Sequence, residues 1–485
     1  MKTKLLFLFL VSAQVVIAQT FTEVSPAPPF EGVDRSSIAF SDVDGDGDED
    51  VLITGSKGSF DPIAKLYTND GAGNFTEMTD APFEGVWAGS VAFSDVDGDG
   101  DEDVFITGGG SSLGSISKLY INDGLGNFTE RTGTPFDGVS IYNSIAFSDV
   151  DSDGDSDVLI TGMVSGLYIA KLYINDGLGN FILMIGTPFE GVWASSIAFS
   201  DVDGDGDEDV LITGYNGSDE RIAKLYINDG LGNFTERTGI PFDGVDFSSI
   251  AFSDVDGDGD EDVLITGRNS SFERISKLYT NDGLGNFTEM TGTPFDGVSR
   301  GSIAFSDVDS DGDDDFLLTG GDDLGERISK LYTNDGLGNF TEMAGTPFDE
   351  VYASSIAFSD VDGDGDEDVL ITGENGSDEE IAKLYTNDGM VSSNDDLKTE
   401  NSLGFLLFPN PSASGTIYLN YDSANRGEIT IKVYSVNGVL LRQQRELAVT
   451  GRQVFPIDIS SLTQGSYFIE LDDGKSRWVA KVMVR

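Results

Sequence analysis

The run Asp42-Val43-Asp44-Gly45-Asp46-Gly47-Asp48-Glu49-Asp50 returns six more times, starting at Asp95, Asp149, Asp201, Asp254, Asp307 and Asp360. Successive copies lie 53, 54, 52, 53, 53 and 53 residues apart. A fixed period of this length marks a propeller, a solenoid or an array, in which one supersecondary unit stacks on its neighbours. Carboxylates at every second position mark a hard cation, because alternate side chains of a looped segment converge on one centre.

Around each copy the apolar pattern predicts four short strands, in the first copy over 37–43, 50–55, 63–69 and 74–79. The second is apolar on both faces (Val51, Leu52, Ile53), as a strand packed between neighbouring sheets is. The third and fourth flank Asn69-Asp70-Gly71-Ala72-Gly73-Asn74, a strong hairpin signal. Four strands per unit and seven units predict an all-β, seven-bladed β-propeller. The chain ends agree. The seventh copy stops at Lys383-Leu384-Tyr385-Thr386-Asn387-Asp388-Gly389, short of the fourth strand, and Phe21-Thr22-Glu23-Val24 at the front supplies the missing piece. Such splitting closes a ring and hides strand edges.

The spacing Asp-x-Asp-x-Asp-Gly-x-x-Asp nominates the ligands. In the first loop Asp42, Asp44, Asp46 and Asp50 offer side chains and Asp48 its carbonyl, with Gly47 at the tight turn. The same five places are Asp95, Asp97, Asp99, Asp101 and Asp103 in the second loop, and Asp149, Asp151, Asp153, Asp155 and Asp157 in the third. The fourth has Asp201, Asp203, Asp205, Asp207 and Asp209, and the fifth Asp254, Asp256, Asp258, Asp260 and Asp262. The sixth has Asp307, Asp309, Asp311, Asp313 and Asp315, and the seventh Asp360, Asp362, Asp364, Asp366 and Asp368. Filler residues change (Ser152 and Ser310 for glycine, Ser156 and Asp314 for glutamate) while every aspartate stays. Six to eight oxygens suit Ca²⁺, whereas Mg²⁺ keeps more water, so up to seven structural Ca²⁺ ions are expected. An EF-hand is excluded: its twelfth position needs a bidentate Glu and here is Ile53, with strands on either side.

The formal charge is −58, from 86 acidic and 28 basic residues. Nucleic acid needs a basic footprint and is not an expected partner. With no cysteine and no histidine, disulfide staples and the usual zinc or copper sites are excluded. Residues 1–18 read as a signal peptide: Lys2 and Lys4, an apolar core, then Val16-Ile17-Ala18 before Gln19. That core is shorter than the ~20 residues a membrane span requires. No span is expected in the mature chain.

The Asp-x-Asp-x-Asp-Gly-x-x-Asp loops and the Leu119–Phe128 type of segment (Leu-Tyr-x-Asn-Asp-Gly-x-Gly-Asn-Phe) resemble the FG-GAP/VCBS repeats of integrin α-subunit propellers and of many bacterial surface proteins. The resemblance covers about residues 20–390. The Phe-Gly-Gly-Ala-Pro signature itself is degenerate, Pro82-Phe83-Glu84-Gly85 being its nearest trace. The resemblance implies a calcium-stabilised propeller used for adhesion or binding.

Comparing the copies with one another locates a second candidate site. The acidic loops and the hairpins barely vary, whereas the linker into strand one and the connection from strand two to strand three vary strongly. A meander puts the two constant connections on one side and the two variable ones on the other. The variable side carries Arg35, Trp87, Tyr142, Trp193, Phe247, Arg300 and Tyr352, residue types enriched at binding hot spots. Trp87 and Trp193 share one register and serve either a ligand or inter-blade packing.

Composition changes after Gly389. The expected organisation is a signal peptide over 1–18, a propeller over 19–389, a polar linker over 390–402 and a small β-sandwich over 403–485. The last carries nine Lys/Arg and seven Asp/Glu over 402–485, so the acid is concentrated in the repeats. Phe408-Pro409-Asn410-Pro411, Val436-Asn437-Gly438, Ser461-Leu462-Thr463-Gln464-Gly465-Ser466-Tyr467 and the end Ala480-Lys481-Val482-Met483-Val484-Arg485 resemble the C-terminal sorting domain of the type IX secretion system. That resemblance implies recognition by the secretion machinery, export across a Gram-negative outer membrane, and often removal of the domain with attachment to the cell surface.

The expected function is a secreted or surface-displayed, non-catalytic binding or adhesion protein for a protein or polysaccharide. The alternative is a secreted propeller lyase or hydrolase, which without histidine would need an Asp, Glu, Tyr or Lys base. A third is a purely structural matrix component.

Overall fold

A computed structural model of the chain describes residues 19–58, 61–111, 114–390, 405–408, 416–423, 427–435, 440–449, 451–460, 462, 465–472 and 477–484. The signal peptide expected over 1–18, Pro409-Asn410-Pro411 and Asn437-Gly438 lie outside the described residues. The chain divides into two compact units, Met1–Ser392 and Ser393–Arg485. Every element among the described residues is a β-strand and every strand pairing is antiparallel. No helix among them is long and apolar enough to cross a membrane.

In the larger unit, β1 is Gln19–Glu23, and the first acidic repeat forms β2 (Asp34–Ser41), β3 (Asp50–Lys57), β4 (Asp61–Thr68) and β5 (Thr76–Glu77). They form a four-stranded meander in chain order. Val51, Leu52 and Ile53 of β3 are fully buried, so both faces of this inner strand meet apolar neighbours. Burying each such side chain contributes roughly 1.5–3 kcal/mol, which is why a continuous apolar run is tolerated here and not on the outer strand. Tyr67 is also fully buried, and its hydroxyl accepts the Glu31 backbone N–H at 3.1 Å, satisfying its polar end.

β2 begins earlier than the sequence suggests and ends earlier too, because the Val43 N–H is taken by the Asp50 carboxylate (3.1 Å) instead of the ladder. β5 is only two residues long. The Asp70 carboxylate binds the Ala72 and Asn74 N–H groups, so the hairpin is built by side-chain bonds rather than by ladder pairs.

The same meander recurs through the acidic repeats. In the seventh, Val351–Ser359, Asp368–Asn375 and Glu380–Met390 lack a fourth strand of their own. β1 takes that place, pairing Phe21 with Asn387, Thr22 with Thr386 and Glu23 with Tyr385. The seventh repeat also packs against the first. Ser36 Oγ lies 2.7 Å from Thr372 Oγ1, Asn69 Nδ2 donates to the Val361 carbonyl at 2.8 Å, and Val33, Val51 and Tyr67 share a core with Val361, Leu370 and Leu384. Asn122 makes the equivalent bond to the Val43 carbonyl of its predecessor (2.8 Å). The larger unit is thus all-β, repetitive and joined end to start, consistent with a β-propeller.

The smaller unit has two sheets. One joins Phe405–Phe408, Thr416–Ser423 and Gly451–Asp458; the other joins Gly427–Ser435, Leu440–Ala448, Gly465–Asp472 and Arg477–Val484. Alternate residues Ile429, Ile431 and Val433 are buried in one cluster with Ile417, Leu419 and Ile457 of the other sheet.

Candidate metal loops and ligand pocket

Each acidic loop joins the first strand of a repeat to the second, and its geometry follows from where its carboxylates find N–H donors. Asp42 accepts from Gly45 (2.8 Å), Asp46 (3.1 Å) and Gly47 (2.9 Å), curling the backbone around itself. Gly45 and Gly47 have φ of +75° and +96°, which a side chain would resist. Asp46 accepts from the Asp48 N–H at 3.1 Å. Asp50 is buried at the start of β3 and accepts from Val43 and, across the sheet, from Asn69 at 2.8 Å.

The result gathers acid. One carboxylate oxygen from each of Asp42, Asp44 and Asp50 lies within 4.8 Å of the others, as for Asp149, Asp151 and Asp157, Asp201, Asp203 and Asp209, and Asp254, Asp256 and Asp262; in the second loop the trio is Asp95, Asp97 and Asp99. Burial pushes the last carboxyl of each loop up, to about 7 at Asp50 and about 8 at Asp315. Asp44 is raised by burial and then by the charges of Asp46 and Asp42. In six loops the second aspartate (Asp44, Asp97, Asp151, Asp203, Asp256, Asp309) has a buried Oδ1 with no hydrogen-bond partner. A buried, unpartnered carboxylate oxygen beside two other carboxylates is what a bound cation would satisfy. The hard, all-oxygen donor set fits Ca²⁺.

The Asp48 side chain is placed differently from its neighbours. It covers the hairpin, where a Cβ added at Gly71 (φ +70°) would sit 2.4 Å from its carboxylate. Asp101, Asp155, Asp207, Asp260 and Asp313 cover their hairpin glycines in the same way. This leaves the backbone oxygen as the contribution to a metal from these places. Ser152 and Ser310, at φ of +59° and +56°, stand where five loops have glycine, and their hydroxyls reach Asp207 (3.3 Å) and Asp366 (3.2 Å) of the following loops.

At the other end of the strands the variable connections meet. The linker into the first strand carries a β-bulge, seen as a register shift between Asp34 and Ser37, Trp87 and Ser90, Trp193 and Ser196, Asp246 and Ser249, and Tyr352 and Ser355. Just after the residue that opens the bulge stand Arg35, Ala88, Ala194, Phe247 and Ala353, and Tyr142 and Arg300 hold the matching place, seven residues before the acidic loop, in the other two repeats. All seven hold positive φ, between 47° and 58°. Non-glycine residues held there are strained by about 1–3 kcal/mol each and cluster at functional sites. All seven line one pocket of about 130 Å³, with Ser36, Asn143, Ser195, Ser248 and Ser354 among its other walls. Backbone bonds stitch the ring: the Tyr142 N–H donates to the Ala88 carbonyl, Ala194 to Tyr142 (2.9 Å) and Arg300 to Phe247 (3.0 Å).

Of the residues expected on this side, Arg35, Tyr142, Phe247 and Arg300 therefore converge on one pocket. Trp87, Trp193 and Tyr352 stand one position earlier and behind it. Trp193 donates its Nε1 proton to the Ile141 carbonyl (2.9 Å) and meets Tyr142 and Phe247 edge-on at 5.7 and 5.5 Å. Trp87 faces the Arg35 guanidinium at 5.9 Å. Ala88, Ala194 and Ala353 carry no chemical signal and were not anticipated. Nor was Phe272, two-thirds exposed at φ +66°, with the Arg221 guanidinium 4.6 Å from its ring. The charges are locally arranged. Arg35 pairs with buried Asp34 at 2.7 Å, and Asp246 takes Arg268 through both oxygens (2.9 and 2.8 Å) as well as Arg221 (3.1 Å). Burial raises the Asp34 carboxyl to about 6 against the pull of Arg35.

These features define an all-β repeat protein with an acidic loop in every repeat. Residues 42–106, 95–160, 201–265, 254–318 and 307–371 match the FG-GAP-like repeat model, together more than half of the chain. The chain belongs to the FG-GAP-like repeat family. All five matches begin on the first aspartate of an acidic loop. Residues 406–485 match the secretion system C-terminal sorting domain, the type IX tail, which marks a secreted or cell-surface protein. No curated protein matches the chain. Among solved structures, a thermostable family-43 glycoside hydrolase is 14% identical over 57% of this chain and 99% of its own, with a TM-score of 0.30. A structure from the GH130 family of mannoside phosphorylases, which contains glycoside hydrolases targeting β-1,2 mannosidic linkages in Candida mannan, is 11% identical over 76% and 94%, with a TM-score of 0.30. AofleA from Arthrobotrys oligospora is 10% identical over 92% and 94%, with a TM-score of 0.34. At these scores the three carry no argument about function.

Proposed function

We propose that residues 19–389 form a seven-bladed propeller stabilised by Ca²⁺ and acting as a non-catalytic binding or adhesion module outside the cell, with residues 403–485 as a β-sandwich sorting tail. The observation that carries the binding reading is the pocket. Seven repeats each place one strained residue on it, and its wall, among the described residues, contains no carboxylate. A hydrolase needs a positioned carboxyl pair, which this wall does not provide. Calcium would be held by Asp42, Asp44, Asp46 and Asp50 with the Asp48 carbonyl, and by the matching residues of the other loops. It would neutralise the gathered acid and tie the start of each second strand to the end of the first.

The test is calcium titration of the EDTA-treated secreted chain, read by bound stoichiometry and thermal unfolding, followed by glycan and protein-ligand screens in calcium. Uptake near seven ions with a large rise in melting temperature supports the calcium reading. No uptake and no stabilisation removes it.

One observation favours the enzymatic alternative in its lyase form. The Tyr142 hydroxyl is hydrogen-bonded to Arg35, and Arg300 lies 5.6 Å from the Tyr142 ring, so a candidate base has cations beside it. Release of unsaturated sugar ends from an acidic polysaccharide, lost in Tyr142→Phe, would establish that reading in place of simple binding.

A further inference from the structure

We propose that the pocket takes the single anionic end group of an acidic sugar, a carboxylate or a sulfate, with Arg300 as the residue that pairs with it. This rests on the binding reading above and names its ligand class.

The argument starts from charge. In a chain with 86 acidic and 28 basic residues, a cation ordinarily finds a carboxylate. Lys65 lies between Glu31 and Glu77, Arg35 meets Asp34, and Arg268 and Arg221 share Asp246. Arg300 is an exception. Among the described residues it makes no ion pair, and its guanidinium rests on rings instead, 4.0 Å from Phe247, 5.6 Å from Tyr142 and 5.9 Å from Tyr352. Ring faces hold and orient a guanidinium without neutralising it or occupying its N–H fork. A planar fork lining a pocket, aimed by aromatic faces and without a counter-ion, is suited to a carboxylate or sulfate.

The walls argue for a sugar. Ser36, Ser195, Ser248 and Ser354 share the wall with the rings of Tyr142 and Phe247. Each serine hydroxyl is oriented by a bond to a threonine hydroxyl and keeps capacity for one to a sugar hydroxyl, while the rings offer faces to the C–H side of a pyranose. The volume holds about four waters' worth of ligand, enough for one charged group and part of a ring. Beyond the pocket the platform continues. Arg268 lies 5.2 Å from Phe247 and 5.5 Å from exposed Phe272, so aromatic and guanidinium groups alternate from the pocket to the rim. The second sugar of a chain entering by its end would rest there. An extended polyanion or acidic peptide is disfavoured, because the molecule's charge of −58 repels each added negative group while, of the two arginines that line the pocket, Arg35 is already paired with Asp34 and Arg300 alone is left to meet it.

The test uses the full secreted chain in calcium, with four probes: glucuronic acid-terminated and sulfated oligosaccharides, their neutral counterparts, and an oligoglutamate peptide. Calorimetry reads affinity, and indole fluorescence reports from Trp87 and Trp193. The acidic sugars are expected to bind about tenfold or more tightly than the neutral ones, and Arg300→Gln to remove that difference, so that acidic and neutral sugars bind alike. Arg300→Lys keeps the charge without the fork and is expected to recover part of the preference. Should Arg300→Gln not fold, the acidic-to-neutral ratio on the unaltered protein decides alone. Equal affinity for acidic and neutral sugars overturns the proposal and leaves the binding reading intact. Oligoglutamate binding that matches or exceeds the sugars overturns the sugar class. No binding of any probe overturns this proposal, and the binding reading itself fails if the wider ligand screens are also empty.

Discussion

Arg35 and Arg300 occupy the same place in two repeats, yet one has a carboxylate beside it and the other does not, and the difference lies one residue upstream, where one repeat has Asp34 and the other Ser299. Asp34 is almost fully buried and its carboxyl sits near 6 because burial disfavours its charge, with Arg35 opposing and Glu374 and Glu380 adding to the shift. The sign follows. Below about pH 4 the group is neutral folded and unfolded, so it imposes no penalty. Between pH 4 and 6 the unfolded chain ionises first and stability falls; above 6 the penalty is complete, on the order of 3 kcal/mol. Asp34→Asn is expected to flatten that part of the stability profile relative to the parent and to leave stability at pH 7 equal or higher. An unchanged difference across pH 4–6 by chemical denaturation would refute the assignment. The residue scale is also where the sequence was least legible. The sequence alone puts Trp87, Trp193 and Tyr352 in one set with Arg35, Tyr142, Phe247 and Arg300, but they belong to adjacent columns. The bulge turns the second column into the pocket and the first against neighbouring strands, and no hydropathy pattern carries a bulge. Alanine at 88, 194 and 353 gives no chemical hint that it completes a ring.

At the scale of elements, legibility followed burial. The inner strand around Val51-Leu52-Ile53 and the exchange of β1 into the last repeat were both readable, since each depends on apolar pattern and on what a partial repeat lacks. Strand ends were not, because they are set by side-chain competition for N–H groups: Asp50 takes Val43 out of β2, and Asp70 takes the hairpin out of β5. Neighbouring repeats are joined by a buried amide bond of the kind Asn122 makes to Val43. Its Nδ2 also reaches the Glu102 carbonyl at 3.3 Å. Asn122→Ala would leave a buried carbonyl without its donor and is expected to destabilise the larger unit by about 1–3 kcal/mol, measured by urea unfolding in calcium. A change below about 0.5 kcal/mol would show that water replaces the amide at this seam.

For the whole molecule, the acidic loops gather a large share of the negative charge at one end of the strands, where like charges repel unless a cation intervenes. In EDTA the melting temperature is expected to rise steeply between 10 mM and 0.5 M NaCl, because the Debye length shrinks from about 30 Å to a few ångströms. In calcium the same salt range should move it much less. Parallel salt responses in the two buffers would mean that the loops are not what limits stability. The pairing of β1 with Glu380–Met390 has a mechanical consequence as well. Glu380–Met390 runs from the pocket end of its repeat to the acidic-loop end, and there the chain leaves toward its tail. A molecule anchored beyond Met390 and pulled by a ligand in the pocket bears its load along the strands. The ladder bonds on both sides of that last strand are then sheared together instead of being peeled one at a time, so the strand borrowed from the front of the chain acts as the strap that carries tension.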